Sequence, residues 1–103
     1  MKGSMIVIHP DGGMERHAYD APPPLKDLKD AVGGSIESVP GWELMAGEPC
    51  WVICNEEGKI DGLPFNPFAQ ALWHRAAPEY SHLDTLVGPV AILAGDKEFM
   101  DAL

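Results

Sequence analysis

The side chains that could do chemistry in this chain gather in one stretch, CNEEGKIDGLPFNP, residues 54 to 67. It holds three carboxylates (Glu56, Glu57 and Asp61), the ammonium of Lys59 and the amides of Asn55 and Asn66. Carboxylates so grouped could hold a hard cation, but the EF-hand order of acidic oxygens closed by a bidentate Glu is absent. An exposed acidic turn explains them as well. Lys59 beside acids, with Asn55 and Asn66, could instead contact a small ligand around the Gly62-Leu63-Pro64 turn. Cys50 and Cys54 are the only cysteines; their spacing suits neither a CxxC redox pair nor a finger-type zinc site. On a regular strand they share a face about 13 Å apart, too far for a disulfide. They read as buried thiols. His9, His17, His74 and His82 are scattered, and no G-x-S-x-G elbow or Walker-type loop occurs. No cofactor, metal site or catalytic set is expected, and the chain reads as a non-enzyme.

Composition narrows the partners. The formal net charge is −9, from 16 acidic and 7 basic residues, which disfavours direct nucleic-acid binding, since hold on phosphate comes from clustered Lys and Arg. The longest apolar runs fall far short of the roughly 20 residues of a membrane helix. A cytoplasmic protein is expected, with no membrane contact. Length predicts one domain over residues 1–103, with 1–4 as a flexible leader. Trp42 and Trp73 are of the residue type that anchors protein interfaces, with core packing as the competing role.

The elements that must position these residues follow from local pattern. Met5 to His9 reads as a strand turned by Asp11-Gly12-Gly13 into a returning strand, Met14 to Tyr19. Leu25, Leu28, Ala31 and Val32 form one stripe of a helix closed by Gly33-Gly34. Ser35 to Val39 alternates as a strand. Cys50 to Cys54 reads as a strand buried on both faces and central in the sheet. Asn55-Glu56-Glu57-Gly58 predicts a hairpin turn closed by a left-handed glycine and returning through Lys59-Ile60. Asn66-Pro67 starts a helix to about Arg75, with Phe68, Ala71, Leu72 and Arg75 on one face, Phe68 and Leu72 packing on the sheet, and Gln70 and His74 outward. Val87 to Ala94 is the last strand, beginning after Pro89 or lying at an edge there, and Asp96 caps a final helical turn. The expected class is α+β: a mixed, mainly antiparallel sheet of four to six strands, with two main helices packed on one face. Self-association through sheet edges or the Trp42 connection stays open.

Several spaced elements together, Val32-Gly33-Gly34, Ile36-Glu37, Asn55 to Lys59, Gly62 to Pro64 and Asn66, resemble the family known as domain of unknown function 3846. The resemblance implies a phage, prophage or conjugative-element setting, in which small acidic proteins act against or alongside host machinery. It implies no chemistry. Three functions follow as expectations: a non-catalytic accessory protein binding a host protein through an acidic surface, in one form against a host defence; a small-molecule or nucleotide binder; and an enzyme of unfamiliar kind.

Overall fold

β-branched and apolar residues at Met5 to Ile8 make a strand that extends two residues further than the pattern predicts. In the computed structural model, which describes residues 1–103, β1 runs Gly3–Ile8 and β2 runs Met14–Tyr19. Gly3 and Ser4, expected within a flexible leader, pair in the sheet: they lie opposite Tyr19 and Ala18 on one side and Gly95 and Ala94 on the other. The turn joining β1 to β2 has Gly12 at φ 91°, where a side chain would be strained. The other elements are α1 (Leu25–Val32), β3 (Ile36–Ser38), β4 (Leu44–Met45), β5 (Glu48–Pro49), β6 (Trp51–Asn55), α2 (Pro67–Ala76), α3 (Pro78–Ser81), β7 (Val90–Gly95) and α4 (Lys97–Asp101).

The main sheet has five strands in the order β2-β1-β7-β6-β3, while β4 and β5 form a separate ribbon. Each neighbouring pair is antiparallel, so the α+β class holds with a sheet that is wholly antiparallel rather than mixed. β7, not β6, is central. Strand β7 starts one residue after Pro89, which spares the ladder a missing donor. No strand returns after Asn55. Residues 56–62 coil through successive turns, with Asp61 N–H donating to Glu57 O and Leu63 N–H to Gly58 O, both at 2.9 Å. The left-handed glycine there is Gly62 (φ 71°), not Gly58; Gly58 is needed for space, because an added Cβ would lie 2.9 Å from Val87.

Alternation along the strands builds two cores. Met5, Val7, Ile53, Ala91 and Leu93 pack with Leu28 and Val32 of α1 and Phe99 of α4. Ile8, Val52, Val90 and Ile92 pack with Ala69 and Trp73 of α2, together with Val39 and Trp42. Adjacent β7 residues enter different cores, and successive side chains on a strand point to opposite faces. The two main helices therefore cover opposite faces of the sheet, not one. The physical reason lies in β7 and β6, whose apolar runs need cover on both sides. Caps fix the helix ends: Gly33, at φ 80°, donates to Lys29 O, Asn66 accepts from Ala69 N–H and Asp96 accepts from Phe99 N–H.

Candidate functional site

The fold disperses the residues that the sequence singles out. Trp42 is 2% exposed and Trp73 is 1% exposed, so neither is a surface anchor; both belong to the core under α2. Trp73 Nε1 donates to Pro40 O at 2.9 Å, while Trp42 Nε1 is buried without a partner. Asn66 is fully buried. Its amide nitrogen donates to Ile8 O and Gly88 O, each at 2.9 Å, and its oxygen caps α2. It ties the end of β1, the approach to β7 and the start of α2, leaving nothing for a ligand. Asn55 is buried as well. It donates to Val32 O at 3.2 Å and accepts from Glu57 N–H at 2.8 Å. A Cβ on Gly34 would lie 3.0 Å from the Asn55 amide, so Val32, Gly34 and Asn55 are one packing unit.

Glu56, Glu57 and Lys59 remain exposed. Lys59 Nζ is hydrogen-bonded to Asp84 Oδ1, and that pair borders a cleft of about 230 Å³ lined in part by Glu37, Cys54, Asn55, Glu56 and Thr85. Here Asn55, Glu56 and Lys59 do meet, while Asn66 and Trp42 stay outside and Trp73 contributes to one wall. Three carboxylates (Glu37, Glu56 and Asp84) face one ammonium already engaged. That balance opposes a phosphate or nucleotide, which needs spare positive charge. Cys54 lies opposite Glu37 in the ladder, and burial, with Glu37 second, pushes its thiol up to about 11. At neutral pH it is a thiol and a poor nucleophile.

A second region was not singled out by the sequence. On α2, Ala69 and Trp73 turn inward, and Gln70 is not outward: its amide nitrogen donates to Ser81 O at 3.0 Å and its oxygen accepts from Leu86 N–H at 2.8 Å. Phe68, expected in the core, is 48% exposed. With Met14, Ala71, Leu72 and Arg75 it lines an apolar groove of about 450 Å³ between α2 and the turn joining β1 to β2. An adjoining groove, also about 450 Å³, runs along the β4–β5 ribbon past Leu44 and Met45, and the two share Leu72 and Arg75. Met14 is 65% exposed and Leu44 is 56% exposed, so this side of the molecule offers grouped rather than scattered apolar side chains. The sequence does carry a signal for it. Helix α2 has apolar residues nearly all round, more than one contact with the sheet can bury.

These features define the class: a small α+β domain with a five-stranded antiparallel sheet, helices on both faces, a tied acidic cleft and an open apolar side. The model of a protein family described as Domain of unknown function (DUF3846) matches residues 1–102. The chain belongs to that family, and no curated protein or solved structure matches it. No helix is long and apolar enough to cross a membrane.

Proposed function

We propose that this chain is a non-catalytic accessory protein of a phage or other mobile element, working in the host cytoplasm by binding a host protein. Action against a host defence is one form of that role. The observation that carries the reading is the apolar side formed by exposed Met14, Phe68 and Leu44 with half-buried Leu72 and Met45 between them. Grouped exposed apolar side chains of this kind mark interaction surfaces. With Trp42 and Trp73 buried, the contact moves from an acidic face with indole anchors to this side, and the acidic remainder keeps the molecule soluble and repels unsuited partners. A small ligand in the Lys59 cleft and a hidden enzymatic activity are less supported, because the cleft disfavours anions and its thiol is protonated.

The test is capture from bacterial lysate with four tagged chains: wild type, Phe68→Asp, Leu72→Asp and Glu56→Lys. At least one protein should be held by the wild type and by Glu56→Lys yet lost by both apolar-face variants. Capture that depends on Glu56, or that ignores Phe68 and Leu72, would place the contact elsewhere.

A further inference from the structure

The docking surface just proposed has a charge pattern that says what its partner carries. Neither groove is lined by an acidic residue, although the chain has 16 of them. The one charged side chain lining both is Arg75. Among the 7 basic residues, Lys26, Lys59 and Lys97 are each paired with an aspartate. Arg75 makes no such pair, and no salt bridge of the molecule includes it. The acids next in sequence to the hairpin side of the groove are Asp11, whose carboxylate accepts from Gly13 N–H at 2.8 Å, and Glu15, which pairs with His9 Nε2 at 3.0 Å. An uncommitted guanidinium set among Phe68, Leu72, Met14 and Met45 is therefore the single basic side chain lining two apolar grooves that no acid lines, with Glu48 of the ribbon, opposite Met45, outside the lining.

A guanidinium binds a carboxylate through two parallel hydrogen bonds, and apolar neighbours that exclude water strengthen that contact. Phosphate polymers fit poorly, because they need a row of cations where the grooves offer one. Anionic lipid surfaces fail for the same want of clustered cations. We infer that the occupant is a short protein segment presenting apolar side chains with an aspartate, glutamate or terminal carboxylate beside them, and that Arg75 is the specificity-determining residue that selects it. The inference rests on the docking surface proposed above and adds the chemistry of its partner. At physiological salt, charges further away than about 8 Å are largely screened, so Arg75 governs the groove locally despite the net charge of −9.

The experiment is selection of a displayed library of random twelve-residue peptides on the wild-type domain, followed by titration of the enriched peptides against Arg75→Glu, Arg75→Lys and Phe68→Asp. Both positions are exposed, and a melting curve for each variant verifies folding. Enriched peptides are expected to combine apolar residues with Asp or Glu, to bind Arg75→Glu about tenfold to a hundredfold more weakly, and to retain part of their affinity for Arg75→Lys. Phe68→Asp should abolish binding. Enriched peptides without acids, binding Arg75→Glu as tightly as wild type but lost on Phe68→Asp, would overturn the carboxylate inference and leave the docking surface standing. If no enriched peptide depends on Phe68, the surface itself falls and the inference with it.

Discussion

Asn66 shows how far one side chain can be understood from its neighbours in sequence. Its cap on α2 is legible because the accepting amide oxygen, Pro67 and the donating N–H of Ala69 lie within one turn. Its other two bonds reach Ile8 and Gly88, 58 and 22 residues away, and no local pattern announces them. Asn55 is alike: the turn bond to Glu57 is local, whereas the bond to Val32 depends on α1 docking beside β6. Residues that resembled a binding motif are thus cross-ties of the fold. Replacing Asn66 by Asp keeps an acceptor for the cap but cannot donate to two buried carbonyls. Urea denaturation should show a loss of about 2–4 kcal/mol, with Asn55→Ala nearer 1–3 kcal/mol, since each abandoned buried carbonyl carries its own desolvation cost.

At the level of elements, the strands and helices that carry strong periodicity were readable, including the Asp96 cap, while at Pro89 the sequence left two readings and the structure takes the one in which β7 starts after it. The placing of α2 was not, because its two apolar stripes compete and only tertiary contact decides which one is buried. The β4–β5 ribbon was missed for a related reason: two-residue strands have no periodicity to read. Packing of α4 on the sheet depends on absent side chains. A Cβ at Gly3 would fall 2.3 Å from the Phe99 ring, and one at Gly95 would fall 2.5 Å from Lys2 O. Gly3→Ala is expected to cost about 1–3 kcal/mol through overpacking. In a Phe99→Ala background that cost should largely vanish, whereas Gly95→Ala keeps its own because it strikes backbone; a double-mutant cycle read by denaturation separates the two.

For the molecule as a whole, stability should fall on the alkaline side well before general denaturation. Burial, the leading cause in each case, raises the Cys54, Cys50 and Tyr19 groups above their ordinary values. A raised group contributes stability that is full below its unfolded pKa and is lost as pH rises through the folded one. For Cys54 the window runs from the ordinary 9.0 to about 11. Denaturation midpoints measured from pH 7 to 11 should therefore decline above pH 9, and Cys54→Ala should flatten part of that decline. On the acidic side Asp96 is held down chiefly by the Phe99 N–H, so its smaller contribution, present above 3.8, disappears as pH falls through the lowered value. The order of strands has a consequence for synthesis. β7 is central in space but follows the other strands in the chain, and the pairs β1–β2 and β3–β6 share no edge until it arrives. On the ribosome each pair is a two-stranded fragment too small to persist alone, with an unpaired edge facing the gap. Assembly waits for residues 90–95 to emerge, and in that interval the nascent chain is most open to chaperones and to aggregation.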